Sequence, residues 1–244
     1  MKILRALLAV LPLLLTACND EPEVQIELQT EADISGYRVA TVAGSCYDLD
    51  LSTRDDIELI LMNNASDVLQ ALLNDKADIV VHDEIIFDPV ICHDNGIKIA
   101  CRGERFFPTA FMFKKSDADL ASALNATLDR LENDGTMAQL KEYWLEGKYL
   151  NSEAYSHMPD TARGEPLRVA CASEMAPIAF PVDGEWYGLE TDIIRCFARD
   201  LGRPLEFTFY NTSSASLALR TGKADVLLGA VFVTPEREEQ FLFS

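Results

Sequence analysis

Positive charge is scarce in this chain. Lysine and arginine together number 21 against 40 aspartates and glutamates, for a formal net charge of −19. A surface this acidic repels phosphate backbones, which excludes nucleic acid as a partner. Histidine is scarcer: His82, His93 and His157 show no metal-ligand spacing, and no CxxC occurs. Zinc-ribbon and thioredoxin-like sites are unsupported, and no metal or cofactor is expected. No nucleophile–base pair is evident, so the chain does not read as an enzyme. Long apolar runs are missing as well, apart from residues 3–15, which fall short of the roughly 20 residues that a membrane helix needs.

What that first run does have is the form of a secretory signal. Lys2 and Arg5 supply a basic n-region, and residues 3–15 are rich in leucine and alanine. Leu15-Thr16-Ala17-Cys18 resembles the bacterial lipobox, in which the cysteine is acylated after cleavage. Residues 1–17 are therefore expected to be a lipoprotein signal peptide, with Cys18 as the lipidation site. A polar tether over 18–35 would hold the protein at the periplasmic face of the envelope, with the membrane contacted through the lipid alone. Loss of Lys2 and Arg5 takes the formal charge from −19 to −21. A hydrophobic fraction of 48% is enough for a packed core, and the length suits one large domain or two small lobes.

Cysteines 46, 92, 101, 171 and 196 remain after Cys18. The compartment permits disulfides, and an odd number leaves a thiol over. Cys92 and Cys101 are near in sequence and are the first candidates for a bridge. The alternative is that all five are small buried apolar residues.

The rest of the chain alternates strand and helix signals. Residues 38–43 are β-prone. Residues 65–73 have helical spacing through Val68, Leu69 and Leu72, and 78–81 read as a buried strand. Residues 111–114 are strand-like, 118–133 form a helix on a Leu120, Leu124, Leu128, Leu131 stripe, and 137–145 form a shorter one. Polar residues with Pro159 and Gly164 mark 151–165 as a linker. The pattern then restarts: strand 167–171, helix 188–201, strand 205–210, helix 213–220, strand 224–229. This rhythm predicts α/β architecture with mostly parallel sheets. There is also an internal echo. The stretch 71–81, through Lys76-Ala77-Asp78, matches 218–228, through Lys223-Ala224-Asp225. Two similar α/β units imply two lobes with a cleft between them.

Here the chain resembles the family 3 extracellular solute-binding proteins, the amino-acid-type periplasmic binding proteins of ATP-driven importers. In 166–244 the likeness lies in Leu167-Arg168-Val169-Ala170, Ala176-Pro177, Trp186-Tyr187-Gly188-Leu189-Glu190-Thr191-Asp192, Gly222-Lys223-Ala224-Asp225, Val233-Thr234-Pro235-Glu236-Arg237 and Phe241-Leu242-Phe243-Ser244. In 36–149 it lies in Gly36-Tyr37-Arg38-Val39-Ala40, Ala43-Gly44-Ser45, Lys76-Ala77-Asp78, Asp83-Glu84, Asn133-Asp134-Gly135-Thr136 and Tyr143-Trp144. The resemblance implies a bilobal, type II periplasmic-binding-protein-like fold, two α/β lobes around a cleft. Residues 36–102 correspond to the second lobe, 103–150 to the closing part of the first lobe and 166–244 to its opening part. That order is inverted relative to the family, as in a circular permutation or a truncated tandem.

The resemblance also implies a site. Arg237 matches the carboxylate-binding arginine, whose planar fork suits bidentate recognition. Asp83 matches the ammonium-binding aspartate at a strand end. Ser45 and Cys46 match a helix start, where backbone N–H groups attract anions. Phe232 stands where the family often has a hydroxyl, and Met175 where an aromatic often covers the ligand; both make the wall more apolar. Tyr210 is a further candidate ligand contact. Glu190 and Asp192 read as N-terminal helix acids, and Asp78 and Asp225 as turn residues. The implied function is a receptor that delivers a small polar solute, amino-acid-like, to an ABC importer permease. The alternatives are a dehydratase-type enzyme on this scaffold, with Glu174 its one candidate acid, and a non-transporting sensor or structural lipoprotein.

Overall fold

A computed structural model describes residues 26, 28–84, 96–103, 108–151, 163–174 and 176–244. The expected signal peptide, Cys18 and half of the expected tether, with Cys92, Met175 and most of the expected linker, lie outside them. No helix among the described residues is long and apolar enough to cross a membrane.

The first half is built on a parallel three-stranded sheet. Strand β1 (Arg38–Val42) lies between β2 (Glu58–Met62) and β3 (Ile79–Val80). Its side chains alternate between two apolar layers, as a central parallel strand requires. Ala40 and Val42 pack on Val68 and Ala71 of helix α2 (Ala65–Leu73). Val39 packs on Ile34 and on Leu51 of helix α1 (Cys46–Leu51). Thr41, fully buried, donates its hydroxyl to Val81 O at 2.9 Å.

The second half is a five-stranded sheet in the order β10-β4-β9-β5-β8. Strand β5 (Leu167–Cys171) is parallel to β8 (Leu205–Phe209) and to β9 (Val226–Leu228). Strand β4 (Met112–Lys114) is antiparallel to β9 and to β10 (Phe241–Phe243). The sheet is thus mixed. Helices α3 (Ala118–Asn133) and α5 (Leu189–Leu201) supply Leu124, Leu131, Ile194 and Phe197 to a core shared with Val169 and Val226. Helix α6 (Thr212–Arg220) covers the other face with Ala215 and Leu219. Helix α4 (Thr136–Trp144) buries Trp144 beside Phe180 of a hairpin, β6 (Phe180–Val182) and β7 (Glu185–Tyr187).

Both halves use the same parallel triad, β2-β1-β3 and β8-β5-β9. Each triad carries the same clamp. Arg38 donates Nε and Nη2 to the two oxygens of Asp78, at 3.1 and 2.6 Å, and Nη1 to Asp75 O. Arg168 does likewise with Asp225, at 3.3 and 2.5 Å, and with Gly222 O. Each aspartate also accepts the backbone N–H of its arginine. The sequence echo is therefore a fork of ionic hydrogen bonds tying the helix–strand turn to the first strand. Asp78 and Asp225 do more than shape a turn.

Cys46, Cys171 and Cys196 are buried free thiols, and Cys101 is a half-buried free thiol. The bridge expected at Cys101 is not made. For Cys171 and Cys196, packing in the apolar core of the five-stranded half accounts for the residue type.

Candidate functional site

The carboxyl ends of four parallel strands converge on one cleft. The three-stranded half contributes Ser45 after β1 and His82 and Asp83 after β3. The five-stranded half contributes Ser173 and Glu174 after β5 and the turn 229–232 after β9. This is where open α/β sheets place ligands. The cavity encloses ≈ 70 Å³, a space for a small molecule and not a polymer. Gly229 allows the β5 and β9 loops to meet: its φ is +114°, and a Cβ there would lie 2.5 Å from Ser173 N.

Arg237 lines the cleft from the first turn of helix α7 (Pro235–Gln240), whose N-cap Thr234 accepts the Arg237 N–H. Its guanidinium donates to Phe232 O at 2.9 Å and, across the cleft, to Gly44 O at 3.3 Å. Burial lowers its pKa from the usual 12.5, with the nearby Cys46 opposing. Asp83 lies on the other wall. Its Oδ1 accepts the Tyr47 hydroxyl at 2.6 Å, while Oδ2 is buried with no hydrogen-bond donor reaching it. His82 Nδ1 is 3.5 Å from Oδ2 but accepts the Asp83 N–H at 2.8 Å.

Phe232 is buried in the cleft wall and meets the Tyr47 ring edge-on, with centroids 5.7 Å apart. Ser45 lines the cleft, and its hydroxyl accepts Asp48 N–H, while Asp48 Oδ2 accepts Gly44 N–H at 2.7 Å. The donors expected to draw an anion at this helix start are thus partly engaged by the chain's own Asp48. Cys46 is buried, and its thiol is pushed up to about 12 by burial and by the Asp83 charge; it stays protonated at neutral pH. Tyr210 is not brought to the cleft. It packs against the cluster of Ala215 and Leu219, and its N–H donates to Cys171 O. Met175 lies outside the described residues.

Two residues take roles that their sequence positions do not announce. Tyr47 joins Asp83, His82 and Phe232, 36 residues from the aspartate in sequence. Glu190 does not cap its own helix. Its carboxyl group is buried and accepts N–H bonds from Gly229 and Ala230, at 2.7 and 3.2 Å, so it holds the β9 turn from behind. Burial raises its pKa from 4.5 to about 7, against the pull of those two donors. Asp192 accepts from Trp144 Nε1 at 2.8 Å and pairs with buried Arg195 at 3.2 Å. Among the described residues no three His, Cys, Asp or Glu side chains are grouped to hold a metal.

Residues 167–244 match the family model for bacterial extracellular solute-binding proteins, family 3. A probable amino-acid ABC transporter-binding protein from Haemophilus influenzae is 28% identical over 116 residues, 46% of this chain and 44% of that protein. The chain thus spans less than half the length of this curated relative. Among solved structures, an ancestral cyclohexadienyl dehydratase shares 31% identity over 30% of this chain and 31% of its own, with a TM-score of 0.29. A phosphate-binding protein of a Streptococcus pneumoniae phosphate ABC transporter shares 10% identity, covering 86% of this chain and 84% of its own, with a TM-score of 0.35. Residues 167–244 belong to family 3 of the bacterial extracellular solute-binding proteins.

Proposed function

We propose that this protein is a receptor for a small, polar, amino-acid-like solute, feeding an ABC importer permease and held at the periplasmic face of the envelope by a lipid on Cys18. In this reading 36–102 form one lobe, and 103–150 with 166–244 form the other. The observation that carries it is the pairing of Arg237 and Asp83 on opposite walls of one cleft. A guanidinium suits a carboxylate and a carboxylate suits an ammonium, so a zwitterion spans the two walls and draws the halves together. The family match and the name of the Haemophilus relative support the same class of ligand.

Glu174 on the same wall favours a second reading, a dehydratase-type enzyme. A thermal-shift screen over amino acids, run with a turnover assay, separates the two. The receptor is stabilised without turnover, and Arg237→Ala or Asp83→Ala weakens binding by roughly ten- to hundredfold, the worth of one charge-assisted hydrogen bond. Unchanged affinity in both variants removes the site, and turnover replaces the receptor with the enzyme. Mass spectrometry of the envelope protein checks the anchor: a mature N-terminus other than acylated Cys18 refutes it.

A further inference from the structure

We infer that the solute carries a net positive charge, with one carboxylate for Arg237 and two cationic nitrogens for Asp83 and Glu174, as in a basic amino acid. The inference rests on the receptor reading and deepens it. It follows from the charges that line the cleft. Among the described residues two carboxylates, Asp83 and Glu174, face it, against one permanent cation, Arg237. His82 also lines the cleft, but its Nδ1 is turned to accept the Asp83 N–H at 2.8 Å.

Among the described residues no lysine or arginine pairs with either acid, and no acid pairs with Arg237. Arg237 directs its donors to two backbone carbonyls. Asp83 takes a neutral phenol at Oδ1 and has a buried, undonated Oδ2. Glu174 has no hydrogen bond or ion pair among the described residues. Glu190, the next acid, is turned away: its oxygens serve Gly229 and Ala230 on the far side of the turn.

A neutral amino acid can balance Arg237 and one of the two acids. The other carboxylate is then shut in a small cleft without a counter-ion, and the cost of desolvating an unpaired charge opposes binding. An acidic solute deepens the deficit. A side-chain cation removes it, and the two acids lie on different halves, Asp83 after β3 and Glu174 after β5. The solute's two cationic groups thus engage both walls, and the charge balance selects the ligand as well as joining the halves.

Calorimetry on the full chain tests this with L-lysine and L-ornithine against L-norleucine, L-glutamine and L-glutamate. The cationic pair is expected to bind more tightly than the neutral pair by roughly ten- to hundredfold, the range of one charge-assisted contact, with L-glutamate weakest. In Glu174→Gln that ratio should fall to about one. The wild-type ratio needs no variant, and a thermal melt of Glu174→Gln confirms that it is folded. Equal binding of neutral and cationic amino acids, or a preference that survives in Glu174→Gln, overturns the charge inference and leaves the receptor reading standing. If no amino acid binds the wild-type protein, the receptor reading falls and the inference falls with it.

Discussion

Glu190 should contribute a stability that is lost as pH rises from about 4.5 to about 7. The carboxyl group is buried behind the β9 turn, and its pKa goes from 4.5 to about 7 on folding. The folded state therefore holds the proton more tightly than the unfolded chain does. The contribution is fully present below pH 4.5 and is lost progressively as pH climbs to about 7. At about 1.4 kcal/mol per pKa unit, the loss comes to roughly 3 kcal/mol. Glu190→Gln keeps an acceptor oxygen for Gly229 and Ala230 but has no proton to lose. Relative to wild type, the variant should gain roughly 3 kcal/mol between pH 4 and pH 8.5, however the other groups titrate. Urea unfolding followed by tryptophan fluorescence is a suitable assay, because Trp144 and Trp186, the chain's two tryptophans, are both buried in the five-stranded half that contains Glu190. A stability difference that stays flat with pH would refute the reasoning.

Two other perturbations probe the cleft and the clamps. Gly229→Ala puts a Cβ 2.5 Å from Ser173 N at a φ of +114°; it should cost about 1–3 kcal/mol in urea unfolding, and weaken solute binding in calorimetry by moving the turn that carries Phe232, whereas wild-type behaviour in both assays would contradict the close approach. Arg168→Ala should destabilise more than Arg38→Ala, because Asp225 is 13% exposed and Asp78 30%. Values of about 1–2 and below 1 kcal/mol are expected, and the reverse order in thermal or urea melts would count against burial as the cause.

The strands best read from sequence were those buried on both faces. Residues 167–171 agree with β5 at both ends, because all but Arg168 are apolar and buried, as a central parallel strand requires. The leucine stripe of 118–133 likewise coincides with α3. Strand β2 escaped, because its Leu59, Ile60, Leu61 and Met62 lie at a sheet edge and show no alternation. The β6–β7 hairpin escaped despite a local signal. Asp183 and Gly184 have φ of +51° and +86°, the pair of positive values that a two-residue hairpin favours. In the site, the strand-end position of Asp83 and the motif around Arg237 were legible. The Tyr47–Asp83 and Glu190–Gly229 contacts were not, since each joins residues 36 or more apart. Tyr210 follows β8, and its packing on the α6 side could not be read from strand alternation.

No buried cluster among the described residues draws side chains from both sheets: Val39, Ala40, Val68 and Leu51 pack within one half, and Val169, Leu124, Phe197 and Leu219 within the other. The links described across the cleft are slight, the Arg237–Gly44 hydrogen bond and the Tyr47–Phe232 edge contact. Two cores that share no buried cluster among the described residues can act as two cooperative units, so heat and denaturant need not melt them together. Both tryptophans sit in the five-stranded half, so their emission follows that half alone. The three-stranded half, with Asp83 and Tyr47, can come apart unseen by that probe, and a protein that still looks folded by fluorescence can already have lost one wall of its cleft.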